Sequence, residues 1–157
     1  MLIIGCGNRQ RSDDGAGVLV AERLRQLGID ADTRTGEAAD LIEAWKSADD
    51  VIVVDAVVTG APVGTVQVWD GRQPLNSVRT TASTHCFGVA EAIELARVLN
   101  RLPTRLRVYG IEGLRFEPGA EISPEVQRAV EEVVQRIMAE LRAPPDSRRH
   151  GPHDTAF

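Results

Sequence analysis

The segment VIVVDAV, residues 51–57, decides the fold class of this chain. All of its residues except Asp55 are apolar, which is typical of a central strand covered on both faces of a parallel sheet. A buried carboxylate loses its hydration and has to find a partner or an exposed position. We therefore expect Asp55 at the carboxyl end of this strand, where solvent reaches it.

Strands and helices alternate on both sides of this segment. The predicted strands cover residues 2–6, 29–34, 51–57 and 106–113, with a half-exposed strand at Val66 and Val68 for which an antiparallel direction fits. The predicted helices cover residues 18–27, 38–48, 88–100 and 123–141, the last with Ser123 as N-cap and Pro124 in its first turn. Residues 71–82 are predicted to be a loop. This order predicts an α/β fold: a single three-layer domain whose twisted, mostly parallel sheet of about five strands has helices on both faces.

The chain length and composition indicate one folded domain and a tail. With 157 residues, 43% of them hydrophobic, the chain can fill a single core. We assign residues 1–142 to the domain. Residues 143–157 (APPDSRRHGPHDTAF) combine proline, glycine and charge with few apolar side chains, and we expect a disordered tail there.

Charge and hydropathy exclude several classes of partner. The net charge is -5 and no basic stripe is present, which argues against nucleic acid. No apolar run approaches the roughly 20 residues that span a bilayer, and MLIIGCG lacks the features of an export signal. We expect no membrane association and a cytoplasmic location. Cys6 and Cys86 are too few for a disulfide framework, and both are expected to be reduced.

The glycine-rich loop GCGNRQRSDDGAG, residues 5–17, follows the first predicted strand and permits two interpretations. Its Gly-x-Gly start resembles a dinucleotide-binding fingerprint, but Gln10 replaces the third glycine and two acids precede the helix, where they would repel a pyrophosphate. A dinucleotide enzyme is therefore a weak alternative. One of Asp13 and Asp14 is expected to cap the helix N-terminus, which leaves the other for a site.

Three polar positions stand at the exits of different elements of the predicted sheet. They are the Asp13/Asp14 pair, Asp55, and His85 before a helix. Two carboxylates and an imidazole suit a divalent transition metal with open positions, and they equally suit proton transfer. A lone His85 is more simply a loop histidine, and Cys86 a small buried residue. The combination, rather than any member, indicates a functional site.

Four motifs occur in an order and spacing that resembles the hydrogenase maturation protease family. They are GCGNRQRSDDGAG (5–17), VVDAVVTGAPVGTV (53–66), STHCFGVAEAI (83–93) and YGIEGLRFEPGAEISPEVQRAV (109–130). The resemblance covers roughly residues 1–142. It implies a cytoplasmic endopeptidase that removes the C-terminal extension of a NiFe-hydrogenase large-subunit precursor after nickel insertion.

The resemblance also implies roles for individual residues. Asp14, Asp55 and His85 would contact nickel that the precursor's cysteines already hold, so the metal arrives with the substrate. No tightly bound organic cofactor is expected. Whether the metal or a carboxylate activates the attacking water stays open, and so does a nickel-dependent binding module that does not cleave. The segment from Glu112 to Pro118 is distinctive, and it leaves the choice of substrate undetermined.

Overall fold

The computed structural model describes residues 1–74 and 88–143. The strands are β1 Leu2–Cys6, β2 Asp32–Arg34, β3 Asp50–Val57, β4 Val66–Asp70 and β5 Arg105–Glu112. The helices are α1 Ala16–Gln26, α2 Ala38–Trp45, α3 Gly88–Val98 and α4 Pro124–Arg142, and a 3₁₀ helix, Ser12–Gly15, precedes α1. Residues 144–157, where the disordered tail was expected, lie outside the described residues.

The strands form one sheet in the order β2-β1-β3-β5-β4. β3 lies in the middle and pairs in parallel with both β1 and β5, while β2 pairs in parallel with β1. β4 pairs antiparallel with β5 at the edge. The predicted mostly parallel sheet of five strands is confirmed, including the direction that fits Val66 and Val68.

The two faces of β3 explain its continuous apolar sequence. Ile52, Val54 and Ala56 belong to a core shared with α1 and α4. Val51 and Val53, on the alternate face, belong to a second core shared with α2 and α3. Because each face of the central strand is covered by a pair of helices, the expected three layers are present. No helix within residues 1–74 and 88–143 is long and apolar enough to cross a bilayer.

The element boundaries differ from the predictions mainly around the capping residues. Ser123 occupies the N-cap of α4 as predicted, and Pro124 follows it, but the Ser123 side chain makes no capping hydrogen bond. The prediction that Asp13 or Asp14 caps a helix is wrong, because neither the 3₁₀ helix nor α1 has a side-chain cap. Both Asp13 and Ser123 are engaged in a tertiary contact that periodicity does not reveal.

Candidate active site

The first turn of α1 lies directly on the ends of β1 and β3. A Cβ at Gly17 would come within 2.2 Å of the Val54 carbonyl oxygen and 2.5 Å of the Cys6 carbonyl oxygen. Only glycine fits this approach, since other residues would push the helix away from the sheet. The contact places the 3₁₀ helix, and Asp14 within it, against the end of β3 that carries Asp55.

Asp14 is held at the surface of this junction by the glycine-rich loop. The carboxylate is half-buried, and its Oδ2 accepts a hydrogen bond of 3.1 Å from the Asn8 backbone N–H. Gly7 has a φ of +130°, and a Cβ there would lie 1.9 Å from the Asp14 carbonyl oxygen. The glycine is therefore needed both for its backbone conformation and for the close approach of Asp14.

Asp55 is buried, contrary to the expectation of a solvent-accessible strand exit. It is 7% exposed because β3 continues to Val57, paired with β5 as far as Glu112. Its Oδ1 accepts a hydrogen bond of 2.8 Å from the Ala56 N–H. Burial and the negative charge of Asp14 raise the pKa of Asp55 well above its ordinary value. Asp14 is thus close enough to influence the ionisation of Asp55.

The third residue predicted for the site, His85, lies outside the described residues together with Cys86. The structure brings together Asp14 and Asp55 of the predicted set. Helix α3 begins at Gly88, as the sequence pattern predicted. Within residues 1–74 and 88–143, no cluster of three or more His, Cys, Asp or Glu side chains is arranged to hold a metal ion.

Asp13 has a structural role that the sequence did not indicate. Its side chain is fully buried and anchors the segment after β5. Oδ2 accepts hydrogen bonds from the N–H groups of Leu114 (2.8 Å) and Arg115 (2.9 Å) and from Ser123 Oγ (2.8 Å), and Oδ1 accepts one from Ser123 N–H (2.8 Å). Burial raises the pKa of Asp13, but the hydrogen bonds from Arg115, Ser123 and Leu114 outweigh it and lower the pKa below its ordinary value. Asp13 is therefore a structural anchor, whereas Asp14 is the aspartate of this pair that belongs to the candidate site.

Glu112 is a second buried acid that anchors a loop. It lies within the strand predicted for residues 106–113 and begins the distinctive segment before Pro118; in the structure it is the last residue of β5 and is 3% exposed. Oε1 accepts hydrogen bonds from Thr59 N–H (2.8 Å) and Gly60 N–H (3.1 Å), and Oε2 accepts one from Thr59 Oγ1 (2.8 Å). The signal that could have identified this role is an acid at the end of an apolar strand, the same signal that singled out Asp55.

Cys6 lies at the carboxyl end of β1 and is buried with a free thiol. Burial raises the pKa of this thiol, and Asp55 and Asp40 raise it further, against a smaller lowering by Arg34. The thiol form is therefore favoured at neutral pH, which makes Cys6 a poor nucleophile and a poor metal ligand. Its reduced state agrees with the expectation from the sequence.

The glycine-rich loop directs its N–H groups inward and not towards a ligand. Gly7 N–H donates to Arg34 O (3.0 Å), Asn8 N–H to Asp14 O (3.3 Å), and Asp13 N–H to Arg115 O (2.9 Å). A pyrophosphate site at this position requires free N–H groups. The loop geometry therefore argues against the dinucleotide alternative.

A groove of about 620 Å³ runs between α1 and α4. Arg9, Glu22, Arg23 and Glu131 line it, and the ion pairs Arg9–Glu22 and Arg23–Glu131 neutralise their charges. Neither Asp14 nor Asp55 is among the lining residues. The groove is thus separate from the candidate active site at the carboxyl edge of the sheet.

Comparison with known proteins gives a consistent result. A family model described as hydrogenase maturation protease matches residues 29–140, a range that includes Asp55 and His85 and begins after Asp14. The Hydrogenase 2 maturation protease of Escherichia coli (strain K12) is 27% identical over 149 residues, which cover 90% of this chain and 90% of that protein.

Solved structures with the same fold include two from this family. The hydrogenase maturating endopeptidase HybD from E. coli has a TM-score of 0.74 and 24% identity, with 90% of this chain and 91% of that chain covered. The [NiFe] hydrogenase maturation protease HybD from Thermococcus kodakarensis has a TM-score of 0.72 and 23% identity, with coverage of 90% and 98%. These likenesses establish the fold.

Proposed function

Because this chain belongs to the hydrogenase maturation protease family, we propose that it removes the C-terminal extension from the large-subunit precursor of a NiFe hydrogenase once nickel is in place. The family membership makes the chain a peptidase, and the match over residues 29–140 is the observation that carries the proposal. The precursor is its protein partner. We expect both proteins to meet in the cytoplasm.

In this proposal Asp14, Asp55 and His85 contact the nickel that the precursor carries. The electrostatics of the two carboxylates support this role. Burial and the charge of Asp14 raise the pKa of Asp55, so the negative charge there is poorly compensated in the free protein. A divalent cation delivered by the substrate relieves this cost by attracting both carboxylates. His85 adds an imidazole nitrogen, a ligand that suits nickel.

The incomplete ligand set gives a reason for selectivity towards nickel-loaded precursor. Two carboxylates alone leave most positions of a transition metal open, and the precursor's cysteines fill the others. A precursor without nickel lacks the link between its own cysteines and Asp14 and Asp55, so its C-terminal extension is not held for cleavage. The metal therefore acts as a checkpoint on maturation.

Two routes for activating the attacking water are chemically adequate. The substrate's nickel lowers the pKa of a bound water, or Asp55 accepts the proton as a general base. A carboxyl group whose pKa is raised by burial is suited to proton transfer nearer neutral pH than an ordinary aspartate. A metal-independent pH profile of cleavage would favour the carboxylate route.

The test is to incubate the purified protein with nickel-loaded and nickel-free large-subunit precursor and to measure the intact mass of the precursor. We expect the C-terminal extension to be lost only from the nickel-loaded form. Asp14→Asn, Asp55→Asn and His85→Ala should each reduce processing by about a hundredfold or more. Asp30→Asn, which changes an exposed acid at the opposite end of the sheet, is the matched control and should process normally.

Three outcomes would contradict parts of the proposal. Tight binding of the nickel-loaded precursor without a loss of mass would replace the endopeptidase with a non-cleaving binding module. Normal processing by all three site variants would show that the site assignment is wrong. A thermal shift with NAD or FAD but none with nickel would point to the dinucleotide alternative, because a ligand that binds the folded state raises its stability.

A further inference from the structure

An exposed leucine stands beside the candidate active site. Leu114 is 62% exposed, whereas the large apolar side chains of the two central strands, β3 and β5, are buried. It follows β5, which pairs with β3 along its length, and Gly113 N–H donates to the Val57 carbonyl at 3.0 Å. Leu114 therefore leaves the sheet at the same edge as Asp55 and one strand away from it.

The backbone of this position is fixed by the residue next to Asp14. Leu114 N–H and Arg115 N–H both donate to Asp13 Oδ2, at 2.8 and 2.9 Å, and Asp13 N–H donates back to Arg115 O at 2.9 Å. These hydrogen bonds fix the main chain of the segment. Binding of a partner to the exposed Leu114 side chain therefore costs little further backbone conformational entropy. A preorganised apolar side chain of this kind is typical of a recognition contact.

Arg115 adds a positive charge to the same position. It is exposed, and within residues 1–74 and 88–143 no carboxylate forms an ion pair with its guanidinium. Seven other arginines take part in the ion pairs of that part of the chain. A guanidinium that forms no ion pair within the described residues, next to an exposed leucine, is suited to bind a carboxylate of a partner.

We propose that Leu114 and Arg115 form a recognition tip that selects the precursor: Leu114 packs against an apolar side chain of the substrate, and the Arg115 guanidinium binds a neighbouring substrate carboxylate. This inference rests on the proposed function. Leu114 lies four residues beyond Gly110, which pairs with Asp55. At about 3.3 Å per residue of extended chain, the recognised substrate residues lie within about four residues of the metal-contacting position.

The experiment compares steady-state kinetics of nickel-loaded precursor cleavage for Leu114→Ser and Arg115→Glu. We expect KM to rise about tenfold for Leu114→Ser and about fivefold for Arg115→Glu, with kcat within about twofold of that of the original chain. The reason is that each contact contributes the same binding energy in the enzyme–substrate complex and in the transition state. The KM of Arg115→Glu should approach that of the original chain at high salt, because an exposed ion pair is screened.

Matched controls lie on or next to helices, away from the site. Leu99→Ser changes a leucine that is 49% exposed next to α3, and Arg128→Glu changes an exposed arginine on α4. Neither should alter KM. Thermal unfolding of all four variants checks the fold, and Leu114→Ala, which introduces no polar group, provides a second truncation if Leu114→Ser unfolds early.

The outcomes separate this inference from the proposed function. If the original chain does not cleave nickel-loaded precursor, the proposed function fails and the recognition tip fails with it. If the original chain cleaves, and Leu114→Ser, Leu114→Ala and Arg115→Glu have the KM of the controls, only the recognition tip is overturned. A fall in kcat at unchanged KM also overturns it, because the residues would then act on the chemical step.

Discussion

The charged side chains at the two ends of β3 and β5 differ in their partners. At the amino end, Arg107 lies between two carboxylates, with Nη2 3.1 Å from Asp50 Oδ1 and Nε 2.7 Å from Glu140 Oε1, and Tyr109 OH donates to Glu140 Oε2 at 2.8 Å. At the carboxyl end, no Lys or Arg within residues 1–74 and 88–143 forms an ion pair with Asp13, Asp55 or Glu112.

The partners of each buried acid at the carboxyl end indicate whether it stabilises the fold or belongs to the functional site. Asp13 and Glu112 compensate for the missing cations with backbone N–H and hydroxyl donors. Within residues 1–74 and 88–143, Asp55 accepts one hydrogen bond, from Ala56 N–H, and its pKa is raised by burial and by Asp14. Of the buried acids at this edge, Asp55 therefore has the fewest hydrogen-bond donors from the described residues, and its pKa is raised, which is typical of a functional group.

The largest expected effect tests the paired charges at the amino end. Arg107→Met removes the cation that bridges the half-buried carboxylates of Asp50 and Glu140 and leaves Glu140 with the longer pair to Arg105, so the free energy of unfolding should fall by about 3 kcal/mol. Urea unfolding monitored by circular dichroism measures the change. Arg136→Met is the control, since its ion pair with Glu132 is exposed and should be worth less than about 0.5 kcal/mol. Equal losses in the two variants would contradict the contrast between buried and exposed pairs.

A somewhat smaller effect tests the anchoring role of Asp13. Asp13→Asn replaces an acceptor-only carboxylate by an amide whose NH2 faces the donors of Leu114, Arg115 or Ser123. The free energy of unfolding should therefore fall by about 2 kcal/mol at neutral pH. The neighbouring Asp14→Asn is the control, with a change below about 1 kcal/mol because the amide oxygen can still accept from Asn8 N–H.

The pH dependence of this loss has a definite sign. The hydrogen bonds hold the folded-state pKa of Asp13 below the unfolded value of about 3.9, so its contribution is complete above that pH and is lost as the pH falls through the folded-state pKa. The stabilities of the original chain and Asp13→Asn should therefore converge below about pH 3.9. A difference that stays constant down to acid pH would count against the carboxylate interactions as its source.

The smallest expected effect is an increase in stability. Asp55→Asn should raise the melting temperature at pH 8 by about 2–4 °C, because it removes a buried charge while the amide oxygen still accepts from Ala56 N–H. The same variant should lose processing, so stability and activity move in opposite directions at this position.

The direction of this change in stability follows from the raised pKa of Asp55. A carboxyl group whose folded-state pKa lies above the unfolded value of about 3.9 reduces stability as the pH rises between the two values. The gain in Asp55→Asn should therefore shrink as the pH is lowered towards about 3.9, below which the carboxyl is mostly protonated in both states. Differential scanning calorimetry from pH 8 to pH 4 measures this. A lower melting temperature for Asp55→Asn at pH 8 would show that Asp55 stabilises the fold.

Part of the candidate site could be predicted from the sequence. Asp55 interrupts an apolar strand, and Asp14 lies in a glycine-rich loop before a helix, so both stand where parallel sheets place functional groups. The exposure of Asp55 was predicted wrongly, because the end of an apolar run does not reveal how far strand pairing extends. His85 remains a prediction. The roles of Asp13 and Glu112 were missed, since their partners lie 101 and 53 residues away along the chain.

The sequence by itself determined the order of strands and helices, the mostly parallel sheet and the family. Each of these follows from local information: apolar periodicity, glycine and proline positions, and the spacing of motifs. Only the tertiary structure decided that Asp13 is the anchor of the two adjacent aspartates, that Asp14 is half-buried at the end of β3, and that Asp55 is buried near the charge of Asp14. Those roles depend on contacts between distant segments, whose hydrogen bonds and desolvation exist only after the chain has folded.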